Sequence, residues 1–272
     1  MEVTLLGTGD TTGTPTPGCD CDTCHRARDR GLERSRFSVH VHNETTDQSL
    51  LIDASPDFRT QFLRESLPLP DAAVISHIHF DHLDGLGNVY RLVDSLTVFA
   101  AADTDPVTGE SVADTVARKY DYLDRVTVAP RAPHTTFDAA GFTVTLVPVD
   151  HPPLACYGVR VDGATGSLAV TGDTTYAVPD RSRAALRGAD LLLADAIVPA
   201  DQCGRHPEGG AHHDDEGVPR TFGTKHMTRE GALALADDLD ADRTRLVHAS
   251  HYYPADEAFT DPVAVDGERY TL

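Results

Sequence analysis

Three imidazoles and a carboxylate fall within six residues at His77-Ile78-His79-Phe80-Asp81-His82, directly after the apolar run AAVIS at 72–76. Imidazole nitrogens and carboxylate oxygens are the ordinary ligands of first-row divalent cations. A loop leaving a strand end lets such side chains converge, whereas a continued strand would send alternate ones to opposite faces. A second cluster, Gly18-Cys19-Asp20-Cys21-Asp22-Thr23-Cys24, puts three thiols into six residues, and Cys-x-x-Cys is a zinc-chelating spacing. In a reducing compartment a thiol cluster binds metal more often than it forms disulfides. Three thiolates leave one place in a closed tetrahedral site. His251, three residues after His248 in His-Ala-Ser-His, is the expected fourth ligand, with His25 beside the cluster as the competing choice.

The elements that must position these residues are read from apolar runs and turn signals. Strand-like runs occur at VTLL, FSVHVH, SLLID and AAVIS in the first part of the chain. They continue through LTVFAA, RVTVAP, FTVTLVPV, YGVRV, SLAVTGD, LLLADAIV and RLVHAS. Helices are expected over 56–66, 110–119, 180–187 and 228–238, the last with Thr228 and Glu230 near its start, and LDGLGNVYRLVD reads as a further helix start. Strands dominate each half and helices accompany both. The expected class is therefore α/β, an αββα sandwich of two mixed sheets flanked by helices. One domain is expected over 1–272, with 201–225 as an irregular, lid-like insertion, because structureless loops beyond ~12–15 residues are uncommon unless functional.

The hexapeptide resembles the His-x-His-x-Asp-His signature of the metallo-β-lactamase superfamily of hydrolases, and other elements of that superfamily follow in order. Asp53 in LLIDAS resembles its early strand-end aspartate, which braces the metal loop. His151 in LVPVDHPP, Asp173 in LAVTGDTT and His248 in RLVHAS resemble its later ligands. The resemblance implies one ion held by His77, His79, His151 and Asp173, and a second by Asp81, His82, His248 and Asp173. A carboxylate can bridge two cations ~3.5–4 Å apart. Asp150, beside His151, either braces it or faces solvent. The N-terminal GTGDTTGTPTPGCDCDTC together with HASH resembles the phosphoribosyl 1,2-cyclic phosphate phosphodiesterase (PhnP-type) family, which carries a Cys-x-Cys-x-x-Cys-plus-His zinc site beside a dinuclear centre. The same N-terminus also resembles the pyrroloquinoline-quinone accessory proteins. His226 in GTKHMTREGALALA resembles, by place, the histidine facing the leaving group, and Lys225 beside it is a candidate phosphate partner.

The implied activity is metal-dependent hydrolysis of a small cyclic phosphodiester, such as 5-phosphoribosyl 1,2-cyclic phosphate. Two divalent ions (Zn or Mn, with Fe also compatible with the donor set) would lower the pKa of a shared water from 15.7 toward ~7 for attack at phosphorus. Asp81 and His226 are the expected catalytic residues, His226 as proton donor. One structural zinc is expected in the thiol site. The alternatives are a quinone-pathway accessory protein, or a tRNA 3′-end endonuclease of the same superfamily.

Composition limits the partners. With 43 acidic against 23 basic side chains, 272 residues carry a formal net charge of −20. Of the acids 33 are Asp, and Lys119 and Lys225 are the two lysines. This acidity suits a salt-rich cytoplasm, where a screening length of ~3 Å at molar salt removes most self-repulsion, and it offers no basic track for nucleic acid. The opening MEVTLLGTGD has neither a basic start nor an apolar core. No apolar stretch nears the ~20 residues that span a bilayer. The expectation is a cytoplasmic enzyme with a small-molecule phosphodiester substrate and no membrane partner; a homodimer is compatible with the pattern but not required by it. His40, His42, His134, His206, His212, His213, Cys156 and Cys203 stand apart from any ligand spacing.

Overall fold

The structure is a computed structural model that describes all residues except Tyr90, Pro106, Glu208 and 213–216. Two sheets face one another. The first runs β16-β1-β2-β3-β4-β5-β6, from β1 (Glu2–Gly7), β2 (Ser38–Asn43), β3 (Gln48–Ile52), β4 (Ala72–Ile75), β5 (Leu96–Ala101), β6 (Val126–Arg131) and β16 (Arg269–Thr271). The second runs β15-β11-β10-β9-β8-β7, from β7 (Thr136–Ala139), β8 (Phe142–Val149), β9 (Cys156–Asp162), β10 (Ser167–Val170), β11 (Leu191–Asp195) and β15 (Thr244–Val247). Both are mixed: β3 through β6 pair in parallel, as do β10, β11 and β15, while the other pairs in these two sheets are antiparallel. Helices α2 (Phe58–Glu65) and α5 (Val112–Lys119) pack on the first sheet. Helices α6 (Asp180–Leu186) and α7 (Arg229–Leu239) pack on the second.

Why the strands read as unbroken apolar runs is visible in the core. Leu191 and Leu193 of β11 join Leu5, Val39, Leu146 and Val159 between the sheets, while Leu192 and Ala194 join Leu186, Ala232 and Leu235 beneath the helices. A strand covered on both faces has no polar side to alternate with. Helix α7 starts at the Thr228 cap, whose side chain accepts from the Gly231 N–H. Among the described residues no helix is long and apolar enough to cross a membrane.

Three features differ from the sequence-based expectation. Helix α1 (Asp22–Arg30) was not foreseen; it is polar and is capped by the Cys21 side chain, which accepts from the Cys24 N–H. The expected helix from Leu83 onward is two single turns, α3 (Phe80–Leu83) and α4 (Leu86–Val89). They break at Gly85, where a Cβ would lie 2.1 Å from the Ser55 carbonyl oxygen. The stretch 201–225 is not wholly irregular. A 3-10 turn (Ala200–Arg205) enters it, and β13 (Thr221–Phe222) pairs with β12 (Ala211–His212) on one side and β14 (His226–Met227) on the other in a small antiparallel sheet. Two-residue ladders are too short to leave a periodic signal in sequence.

Candidate active site

The C-terminal ends of β3, β4, β8, β10, β11 and β15 deliver, at or just beyond the last strand residue, Asp53, His77, His151, Asp173, Asp195 and His248 to one edge of the sandwich. Asp53 and His248 both take φ of 57°. That left-handed conformation is uncommon outside glycine and clusters at functional sites. Gly172, at φ +65° with the Tyr157 carbonyl 2.8 Å from any Cβ placed there, turns the chain so that Asp173 enters the site.

Hydrogen bonds fix which ring nitrogens are free. The Ser76 hydroxyl donates its one proton to Asp53 Oδ2 at 2.7 Å, because a carboxylate only accepts. At its 3.0 Å contact with His77 Nδ1 the hydroxyl therefore accepts from the ring. His82 Nδ1 donates directly to Asp53 Oδ2 at 2.7 Å, and His151 Nδ1 donates to the Lys225 carbonyl at 2.8 Å. When the rings are neutral, as metal ligation requires, these bonds leave the Nε2 atoms of His77, His82 and His151 without a proton and turned inward. His79 turns Nδ1 inward, 2.9 Å from His77 Nε2 and 3.3 Å from His151 Nε2. Asp173 Oδ2 stands 3.6 Å from His77 Nε2, 3.4 Å from His82 Nε2 and 3.5 Å from His248 Nε2. Asp81 Oδ2 lies 3.6 Å from both His82 Nε2 and His248 Nε2.

This donor set fits divalent cations. Two nitrogens each ~2.0–2.1 Å from a tetrahedral zinc stand about 3.3 Å apart, close to the separations seen. The buried atoms His82 Nε2, His248 Nδ1 and His248 Nε2 have no hydrogen-bond partner among the described residues, although buried polar atoms ordinarily find one. Electrostatics point the same way. Burial holds the His77 ring well below its ordinary pKa and that of His151 down at about 3. Burial acts likewise on His82 and His248, but the surrounding carboxylates, Asp173 foremost, outweigh it: His82 is held well above its ordinary value and His248 at about 9. The Asp81 carboxyl, despite burial, is drawn down to about 2 by His82 and His248. Carboxylates buried this closely call for cations. His77, His79, His151 and Asp173 form one group that could hold an ion, and Asp81, His82 and His248 a second.

The thiol site is assembled as well. Cys19, Cys21, Cys24 and His251 bring one donor atom each within 4.8 Å of one another. His251 Nδ1 is 3.4 Å from both Cys19 Sγ and Cys21 Sγ, near the roughly 3.6 Å that a sulfur and a nitrogen subtend on one zinc. The Cys21 thiol is pulled to about 6, because its contact with His251 and the Cys24 N–H at the start of α1 outweigh the effect of burial. Burial pushes Cys24 up to about 12. His25 is exposed and outside the group, so the competing fourth ligand is not the one the fold supplies.

His226 faces the same edge. Its ring stacks on that of His248 at 5.0 Å and 16°, and Nδ1 is 2.9 Å from Asp195 Oδ2. Asp195 is a residue sequence reasoning missed. It is buried, accepts the Thr174 N–H at 2.9 Å, and places Oδ1 3.9 Å from His248 Nδ1. Its position inside LLLADAIV gave no motif; the available signal was that it is a third strand-end aspartate after Asp53 and Asp173. Asp150 binds the Thr175 hydroxyl and does not brace His151, whose Nδ1 partner is the Lys225 carbonyl. A cleft of about 280 Å³ opens over the site, lined by Asp10, Thr12, Asp81, Asp173, His226 and Tyr252 among others. His206 reaches its wall, its ring 4.9 Å from that of Tyr252. Of the other histidines set aside in the sequence, His213 lies outside the described residues.

Comparison with known proteins agrees with this geometry. Residues 48–249 match the family described as Beta-lactamase superfamily domain. The chain is 28% identical over 309 residues to a coenzyme PQQ synthesis protein B of Methylobacterium radiotolerans, covering 98% of this chain and 92% of that protein. It is 26% identical over 265 residues to an octanoyltransferase of Porphyromonas gingivalis, covering 93% of this chain but spanning only 47% of that protein's length. Among solved structures, a diphosphatase from the PhnP family superposes with a TM-score of 0.77 at 29% identity, covering 100% of this chain and 97% of that one. With two mixed sheets, outer helices and ligand groups gathered at their strand ends, the chain belongs to the β-lactamase superfamily and has the metallo-β-lactamase fold.

Proposed function

We propose that the protein is a metal-dependent phosphodiesterase that opens a small cyclic phosphate, with 5-phosphoribosyl 1,2-cyclic phosphate as the reference substrate. The observation that carries this reading is Asp173 Oδ2, set 3.4–3.6 Å from histidines of both ligand groups. His77, His79 and His151 with Asp173 would hold one ion, and Asp81, His82 and His248 with Asp173 the second; Cys19, Cys21, Cys24 and His251 would hold a structural zinc. The paired ions would act as Lewis acids on the phosphate oxygens and supply a nucleophile from water at neutral pH.

The chain's own groups do the rest. Asp53 holds His82 directly and His77 through Ser76, so both keep the tautomer in which Nε2 is a donor to metal. Asp195 accepts from His226 Nδ1 and thereby orients the ring over the cleft, where His226 gives a proton to the departing alkoxide. The cleft, about 280 Å³, falls just below the ~300–1,000 Å³ typical of ligand pockets, which supports a small substrate over a folded RNA. The 29% identical diphosphatase supports a second reading, a substrate with a P–O–P linkage whose leaving group is phosphate.

The test is phosphorus NMR of zinc-loaded protein with the ribosyl cyclic phosphate and an organic diphosphate offered in parallel. Ring opening that disappears in Asp81→Ala is expected. Turnover of the diphosphate alone would transfer the assignment to the second reading, and no turnover of either with the metals bound would overturn both.

A further inference from the structure

Beside the cleft lies a second recess of about 280 Å³, formed by the β13–β14 hairpin and lined by Phe222, Gly223, Thr224, Lys225 and His226. Lys225 and His226 belong to both spaces. We infer that this recess is a subsite for a second anionic group of the substrate, a distal phosphate or carboxylate, and that Lys225 is the residue that selects for it. The inference rests on the phosphodiesterase reading for the position of the scissile group, and extends it to the rest of the substrate.

Four observations carry it. A chain with a net charge of −20 contains two lysines. Lys119 is committed to an ion pair with Asp84. Lys225 has no carboxylate within ion-pair distance among the described residues, although the site beside it contains Asp81, Asp173 and Asp195. Finally, its backbone is fixed while its ammonium makes no hydrogen bond or ion pair among the described residues. Lys225 ends the three-residue turn of the β13–β14 hairpin, in which Phe222 pairs with His226 and Gly223 takes φ of 55°. Its carbonyl accepts from His151 Nδ1 at 2.8 Å, and the next residue, His226, is held by Asp195. The ammonium therefore starts from a point fixed by both a metal-ligand candidate and the proposed proton donor. It is a half-buried cation in a strongly acidic protein, lining both the cleft and the recess beside it.

The test compares 5-phosphoribosyl 1,2-cyclic phosphate with ribosyl 1,2-cyclic phosphate, which lacks the distal phosphate, in wild type, Lys225→Ala and Lys225→Arg. For the phosphorylated substrate, Lys225→Ala should raise KM and lower kcat/KM by roughly 10- to 150-fold, the range of one charge-assisted hydrogen bond. The change for the unphosphorylated substrate should stay within about threefold, and Lys225→Arg should recover most of the loss. Independently of turnover, calorimetric titration with ribose 5-phosphate should show the same loss of affinity in Lys225→Ala and its recovery in Lys225→Arg. An equal fall in kcat for both substrates would place Lys225 at the reacting phosphate and overturn the subsite. Unchanged ribose 5-phosphate affinity would also overturn it. Failure of wild type to turn over either substrate, with ribose 5-phosphate binding still dependent on Lys225, would refute the phosphodiesterase reading and leave the subsite standing.

Discussion

Replacing Asp195 by Asn isolates the contribution of one carboxylate to the proposed proton transfer. The Thr174 N–H, 2.9 Å from Asp195 Oδ2, fixes the carboxamide with its oxygen toward Thr174 and His226 and its NH2 toward His248 Nδ1, 3.9 Å away from Oδ1 in wild type. Both hydrogen bonds of Oδ2 survive in form; what is lost is the negative charge facing His226 Nδ1 at 2.9 Å. Asp195 is 1% exposed, so solvent screens little of that loss. A hydrogen bond to a charged group is worth about 1.5–3 kcal/mol net. At 1.36 kcal/mol per decade this becomes a fall in kcat of roughly 10- to 150-fold. It should not exceed the ~10²–10⁴-fold that a whole general acid supplies. The assay is steady-state turnover of an alkyl phosphodiester beside one with an acidic phenol leaving group, with metal content measured on the same samples. The full loss is expected for the alkyl ester and less than about threefold for the phenol, whose departure needs no proton. Equal losses on both substrates, or loss of metal in the variant, would refute the argument, because Asp195 would then be acting through His248.

Other expectations follow from the same geometry. Asp53→Ala removes three 2.7 Å hydrogen bonds from Ser76 and His82 at a fully buried position. It should cost on the order of 3–5 kcal/mol of stability and weaken metal binding by roughly 10- to 100-fold, read by melting and by metal analysis after dialysis. In zinc-stripped protein, iodoacetamide should alkylate Cys21 at neutral pH with a rate that is half-maximal near pH 6. The thiolate held at about 6 is lost as pH falls through that value, while Cys24, pushed up to about 12, should stay inert. Cys21 and Cys24 reacting at the same rate would contradict the assignment. His251→Ala should release one zinc equivalent and lower the melting temperature, whereas His25→Ala should do neither, since His25 is exposed outside the cluster.

Most strands were legible because both sheet faces are covered: the LLLA of β11 feeds two cores at once and so appears as a bare apolar run. Helix α1 was not legible. It buries only Thr23, Cys24 and Ala27, and its cap is a thiol in place of the usual Ser, Thr, Asp or Asn. The short edge strands β7 and β16 are too brief to carry a period. The ligand residues stood out because imidazoles and thiols are rare at such spacing. Asp195, by contrast, looks like one polar residue in an apolar run; the pairing of β11 with β15 brings it to His248, and β14 of the small sheet brings His226 to it. Residue types disclosed the candidate metal ligands; the residues that orient them depend on which strands lie side by side.

Hydrolysis of the ribosyl cyclic phosphate in ¹⁸O-labelled water, with mass analysis of the product, tests most directly the claim that this site carries out water attack at phosphorus. The account predicts one ¹⁸O in the phosphate group of the opened product, formed by wild type and not by Asp81→Ala. Label on the sugar carbon, or label in phosphate at the same rate in Asp81→Ala, would contradict it.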